Sequence, residues 1–183
     1  MLVYRVFPHL PTAKAGEPGH PLYLYPVQGK GRWDNPALYL VRYLALSPEA
    51  AIGETFGDLQ TWSPAMLAFP SLPGAQRRLG TYRFDETASP LLDLDDAEVL
   101  ARRHLRPTQV VIKNLPRTQQ VAADIFAEGR WAGIQWWSYQ RPQWTVAALW
   151  ASVAVTCDDV ADIAGHPALE DAARRLAKHR RAI

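Results

Sequence analysis

The chain predicts a mixed α+β fold in one domain, and three observations carry that prediction. Its 183 residues suit one hydrophobic core. Strand-like and helix-like segments are interspersed without a regular β-α-β period, so a doubly wound parallel sheet is not expected. No repeat, low-complexity run or linker divides residues 1–183.

The elements follow in order. Leu2–Phe7 has strand composition and Pro8 ends it. Arg5 sits there among apolar neighbours. A buried guanidinium must pair with a carboxylate, such as Asp85 or Asp93, or reach an anionic ligand. Residues 8–21 hold four prolines and two glycines and read as a loop. Leu22–Val27 is expected as a second short strand and Ala37–Leu46 as the next, where Tyr39 and Tyr43, four residues apart, share a face unless a bulge intervenes. Ser47-Pro48-Glu49 starts a helix: serine caps, proline takes the first helical position, and glutamate suits the positive dipole end. The helix runs to Phe56 and stops near Gly57. Glu54 falls in its last turn, where the dipole disfavours a carboxylate. That local cost points toward function; the plainer reading is a surface glutamate.

Residues 58–80 read as a loop with one short helix, and Thr81–Phe84 and Leu91–Leu94 as strands. Asp95–Glu98 has capping-box spacing before a helix to His104. Val110–Ile112 has the composition of a short strand. Thr118–Glu128 is the clearest helix, with Val121, Ala122, Ile125 and Phe126 on one face and Gly129 ending it. Trp131–Trp137 reads as a buried strand that delivers Ser138, and Val146–Val155 fits either a buried strand or a buried helix. Asp158–Ala164 and Pro167–Arg181 read as closing helices, so residues 158–181 form a helical C-terminal segment.

Composition narrows the class. Hydrophobic residues at 48% and charged residues at 21% are ordinary for a soluble globular chain. The one cysteine, Cys157, allows no internal disulfide and suits a reducing cytoplasm. The acidic pair after it raises its pKa and argues against a nucleophile. No signal-peptide pattern opens the chain, and the longest apolar window, Val146–Val155, is too short for a bilayer, so no membrane role is expected. Net charge is +2, with the basic excess in Arg174, Arg175, Lys178, Arg180 and Arg181. Such a tail either contacts nucleic acid or is the solvated face of a terminal helix. Trp131, Trp136, Trp137 and Trp144 suggest a packed wall beside a pocket.

Glycine-rich phosphate loops and a nucleophile elbow are absent, and the five histidines are too scattered for a metal site. Chemistry gathers instead in Gly29–Glu54, where Arg32, Tyr43 and Glu54 stand at intervals of eleven residues. Arginine holds phosphate bidentately, and tyrosine stacks on a base or donates a hydrogen bond. A glutamate facing a ribose stabilises an oxocarbenium-like transition state. Nicotinamide leaves readily because its ring nitrogen is cationic while attached. These residue types suit cleavage of the nicotinamide–ribose bond of NAD. Taken alone, Ser138 is a strand-end turn residue.

GRWDNP, YLALSPEAAIGE and GIQWWS, with an early YRV and a central LLDL, resemble the RES domain family over Tyr4–Trp150. That family is named for its arginine, glutamate and serine and includes the toxins of Res–Xre toxin–antitoxin systems. The resemblance implies that Arg32, Tyr43, Glu54 and Ser138 are catalytic, and that Arg5, Arg32, Tyr43 and Ser138 bind NAD. Thr145 stands where the family has an asparagine. The resemblance further implies a fold similar to the diphtheria-toxin-like ADP-ribosyltransferases, with NAD as substrate and no metal. NAD would be degraded by phosphorolysis, with inorganic phosphate as co-substrate, or by hydrolysis. An Xre-type antitoxin with a helix-turn-helix would block the NAD pocket. A cytoplasmic toxin homodimer within that complex, making no direct nucleic-acid contact, completes what is implied. Two other readings stay open: ADP-ribosyl transfer to a protein target, and a non-catalytic module that binds nucleic acid or a partner through the basic C-terminal helix.

Overall fold

The computed structural model describes residues 1–181 apart from the Arg180 side chain. That side chain, a member of the basic tail, and residues 182–183 of the expected 1–183 domain lie outside the described residues. The elements are β1 (Leu2–His9), β2 (Val41–Ala45), α1 (Pro48–Phe56), β3 (Thr61–Trp62), β4 (Gln76–Arg83), β5 (Leu91–Asp93), α2 (Ala97–Arg102), α3 (Pro107–Val111), α4 (Leu115–Ala127), β6 (Gly133–Trp137), β7 (Thr145–Trp150), β8 (Thr156–Asp162), α5 (Pro167–Arg175) and β9 (His179–Arg180), with a 3-10 turn at Pro64–Leu67. They form a mixed α+β fold. Its frame is a seven-stranded sheet in the order β5-β6-β7-β2-β1-β4-β8. Only β5 and β6 run parallel; the other neighbours are antiparallel.

Strand alternation sorts the side chains into two cores. Tyr4, Val6, Val41, Tyr43 and Ala45 face the larger core, which α1, α4 and α5 cover with Ile52, Ile125 and Leu169. Val3, Phe7, Leu44 and Tyr82 face a smaller one. Each fully buried aliphatic side chain in these layers stabilises the fold by about 1.5–3 kcal/mol. β1 pairs with β4 along its whole length but with β2 only at Tyr4 and Ala45. The two central strands therefore part, and a cleft opens there.

Helix α1 starts as the sequence predicts: Ser47 accepts from the Ala50 amide at 3.3 Å and Pro48 takes the first turn. Gly53 in its interior is disfavoured by about 1 kcal/mol relative to alanine. The reason for it is steric, because a Cβ there would run into the Trp144 ring, and one at Gly57 into the Gln140 side chain. The two glycines seat the β6–β7 turn on the helix. Gly53→Ala is therefore expected to destabilise the protein by about 1–2 kcal/mol, overpacking outweighing the gain in helix propensity. A urea midpoint at or above wild type would show that Trp144 can retreat.

Several expected elements differ. Leu22–Val27 is not a strand; it lies across the sheet, and its carbonyls meet arginine side chains in place of a neighbouring strand. The strand expected at Ala37–Leu46 shortens to Val41–Ala45, because Asn35–Tyr39 closes into a turn. Tyr39 thus precedes the strand and packs between Phe126 and Trp150. Val110–Ile112 is not a strand: Pro107 opens a helical turn that the Gln109 side chain closes on the Arg106 amide at 2.7 Å. Val146–Val155 resolves as strand β7 over its first half. Of the helix expected at Asp158–Ala164, residues 158–162 are strand and 163–164 a turn. That strand pairs along β4, and Arg78 and Arg83 hold Asp162 and Asp158. The helix expected to reach Arg181 stops at Arg175, after which Ala177 takes a positive φ of 50° and β9 pairs with β3. The exposed Arg174 pairs with Asp171 at 2.6 Å on the solvated face of α5.

Candidate active site

The loop before β2 is built around Asp34, which is only 5% exposed. Its carboxylate accepts from the Gly29 amide at 2.8 Å, the Gly31 amide at 2.7 Å and the Tyr43 hydroxyl at 2.8 Å. The Trp33 amide in turn donates to the Tyr43 oxygen at 3.0 Å. A Cβ at Gly31 would collide with both the Tyr43 hydroxyl and the Asp34 carboxylate, so glycine is required. From α4, Gln119 donates to the carbonyls of Gly29 at 3.1 Å and Gly31 at 3.0 Å. Arg32 donates to the Val111 carbonyl at 3.0 Å and lies within electrostatic reach of Glu54 and Tyr43. Burial and the Asp34 charge push the Tyr43 phenol far above its ordinary range, so it stays protonated.

Glu54 arrives from the last turn of α1, as expected, and Ser138 from the end of β6. The Ser138 hydroxyl donates to the Glu54 carboxylate. Ser138 is fully buried, and its oxygen also accepts from the amides of Gln140 at 3.0 Å and Arg141 at 3.2 Å, which fixes the turn. The turn is tied down further by Gln140 to Asp58 at 2.9 Å and by Arg141 to the Arg175 carbonyl at 3.3 Å. The Glu54 side chain meets solvent at the cleft, yet protein packs closely enough around its carboxyl to raise its pKa. The Ser138 hydrogen bond, the Arg32 charge and the Gln140 amide oppose that rise.

Tyr43 and Glu54 line a cleft of about 150 Å³ together with Tyr4, Ala51 and Trp136 among others. Arg32 and Ser138 do not line it and bear on it through Glu54, by charge and by hydrogen bond respectively. Trp136 supplies the tryptophan wall and meets Trp33 edge-on at 5.3 Å. The structure thus brings Arg32, Tyr43, Glu54 and Ser138 together. Arg5 also lines the cleft, but its guanidinium turns to the Tyr23 carbonyl at 3.5 Å, on the sheet face of Val3 and Phe7. Among the described residues neither carboxylate considered as its partner pairs with it; Asp85 accepts from Thr87 and Ala88, and Asp93 from the Asp95 amide. Thr145 opens β7, where its carbonyl accepts from the Leu46 amide at 3.0 Å. Burial and the charges of Asp158 and Asp159 hold the Cys157 thiol above its usual range, as the sequence suggests. Among the described residues no group of three His, Cys, Asp or Glu side chains could hold a metal ion, and no helix is long and apolar enough to cross a membrane.

Asp34, Gln119 and Arg42 escaped the sequence reading. Asp34 stands in the RWDNP run, whose Asp-Asn-Pro marks a side-chain-closed turn, a usable signal. Arg42 is a lone charge in an apolar strand, the same signal that singles out Arg5. Gln119 gives none, since its partners are distant carbonyls.

A family model described as RES domain matches residues 2–171. In three dimensions the chain is similar to a chain of the crystal structure of the M. tuberculosis MbcT–MbcA toxin–antitoxin complex. The TM-score is 0.62 at 17% identity, over 94% of this chain and 88% of that one. At that identity the similarity bears on the fold. No curated protein is significantly similar in sequence.

Proposed function

The chain belongs to the RES domain family, and from that premise we propose that it is the toxin of a toxin–antitoxin pair and cleaves the nicotinamide–ribose bond of NAD. The observation that carries the reading is the Glu54 carboxylate, held by the Ser138 hydroxyl beside Arg32 at a cleft walled by Tyr43. As the C–N bond breaks, its electron pair goes to the nicotinamide ring nitrogen and neutralises it. Positive charge develops on the ribose, and ionised Glu54 stabilises it. A phosphate oxygen or water then bonds to the anomeric carbon, with loss of a proton to solvent, giving ADP-ribose 1″-phosphate or ADP-ribose.

The geometry refines the roles. The Tyr43 hydroxyl is engaged with Asp34 and Trp33, so its ring face is what remains for nicotinamide. The Ser138 proton is engaged with Glu54, which makes Ser138 a positioning residue for the carboxylate. Arg32 keeps donors beyond its Val111 bond for a phosphate or ribose oxygen. The same proposal includes kinship to the diphtheria-toxin-like ADP-ribosyltransferases and an Xre-type antitoxin that covers the cleft of a toxin dimer.

Incubating the purified protein with NAD, with and without phosphate, tests the reading. Nicotinamide should appear together with ADP-ribose 1″-phosphate or ADP-ribose; undiminished NAD would sink it. Label from NAD found on a macromolecule would redirect it to protein modification. Ser138→Ala supplies a finer check. Losing the bond that lowers the Glu54 pKa should move the acidic limb of kcat upward in pH. An unmoved limb would remove the positioning role.

A further inference from the structure

Arg32 directly follows Gly31, and a glycine is the residue least able to fix the direction of its neighbour, because no Cβ restricts its backbone dihedrals. No other residue fits there, since a Cβ at Gly31 would strike the Tyr43 hydroxyl and the Asp34 carboxylate. The peptide leading into Arg32 therefore needs a hold from outside. Asp34 supplies one half by accepting from the Gly31 amide at 2.7 Å. Gln119 supplies the other: its Nε2 donates to the Gly31 carbonyl at 3.0 Å and to the Gly29 carbonyl at 3.1 Å. With its amide and its carbonyl both tied, Gly31 loses the freedom that its small size brings.

The two holds come from different layers. Asp34 belongs to the loop itself and joins it to β2 through Tyr43. Gln119 lies 88 residues from Gly31 and joins the loop to α4. The Arg32 side chain ends on the same helical layer, donating to the carbonyl of Val111, the last residue of α3, at 3.0 Å. Arg32 is thus held through its backbone by α4 and through its guanidinium by α3. Gln119 is not needed to seat α4, whose buried face is Thr118, Val121, Ala122 and Ile125. What the placement serves is Glu54. Burial raises the pKa of that carboxyl and the Asp58 charge adds to the rise, while the Ser138 hydrogen bond, the Arg32 charge and the Gln140 amide oppose it. Arg32 is the one positive charge in that set.

We propose that Gln119 is a positioning residue for Arg32: by holding the Gly31 carbonyl it keeps the guanidinium within electrostatic reach of Glu54, so that α4 governs the charge at the carboxylate. The inference deepens the NAD reading and rests on it for the identity of the reaction. Its test needs no turnover, so either can fail alone.

NMR titration of the Glu54 carboxyl without NAD is the test, in wild type, Gln119→Leu, Arg32→Gln and the double variant. Gln119→Leu keeps the bulk of the side chain and removes the donor, so the Glu54 pKa should rise above that of wild type as the Arg32 charge withdraws. Arg32→Gln should raise it at least as far. Adding Gln119→Leu to Arg32→Gln should then change nothing, because the two act through one contact. An unmoved pKa in Gln119→Leu, or an equal increment in both backgrounds, would overturn the proposal. If Gln119→Leu does not fold, Gln119→Asn, one methylene too short to reach the carbonyls, decides in the same way. With NAD present, kcat/KM of Gln119→Leu should fall about tenfold, inside the 10²-fold that a misplacement of about 1 Å can cost, and the acidic limb of kcat should move up with the titrated pKa. Wild type that leaves NAD intact would end the NAD reading, and the titration would still decide the role of Gln119.

Discussion

Glu54→Gln is expected to lower kcat for NAD cleavage by about 10²–10³-fold, the usual loss when one preorganised electrostatic group is removed from a transition state. The fold should not suffer. Glutamine keeps an oxygen to accept from Ser138, and it removes a carboxyl that the folded chain prefers to protonate. The sign follows from linkage. The folded pKa lies above the ordinary glutamate value of 4.5, so the stability this group contributes is full below that value. It is lost as pH rises through the folded pKa. At pH 7 the wild type therefore carries an ionised carboxylate at a local cost that the variant lacks. Its Tm should equal or exceed that of wild type at pH 7, with the difference closing or reversing as pH falls below about 4.5. Retained turnover would remove Glu54 from the chemistry, and a Tm several degrees lower would show that the carboxylate is structural.

Asp34→Ala should have the largest effect on stability, about 3–5 kcal/mol, because three donors lose a buried acceptor at once. It should also cost activity, since Tyr43 would lose the anchor that fixes its ring at the cleft. Tyr43→Phe separates the two effects. It removes the hydroxyl but keeps the ring, so it should lose only about 1 kcal/mol and retain most turnover. Urea midpoints with kcat and KM for the pair decide the matter. If Tyr43→Phe is as inactive as Asp34→Ala, the hydroxyl, not the ring face, serves the reaction.

What could be read from the sequence follows the range of the interactions involved. Ser47, Pro48 and Glu49 announce α1 because capping is settled within four residues. The spacing of Arg32, Tyr43 and Glu54 was visible because one loop, one strand and one helix deliver them in succession. Leu22–Val27 was misread because its partners are side chains on β1 and β2, which composition does not reveal. Asp158–Ala164 was misread because its acidic opening resembles a helix start, whereas its pairing with β4 is settled across the sheet. Ser138 needed the family resemblance, since the carboxylate that gives it a role is 84 residues away. Asp34 was missed for a related reason: its hold on the Tyr43 hydroxyl emerges only once β2 is in place.

The seat of Trp144 on Gly53 has a consequence for when the protein becomes active. A growing chain that has reached α1 already carries Arg32, Tyr43 and Glu54, but not the serine that orients the carboxylate. Ser138 takes its place only after β6 and β7 have both been made and their turn has docked on the helix. Truncated or half-folded chains therefore hold an unfinished site. On the proposed reading of an NAD-cleaving toxin, this ordering confines the damage to fully folded molecules and leaves the proposed antitoxin an interval of synthesis in which to meet its target.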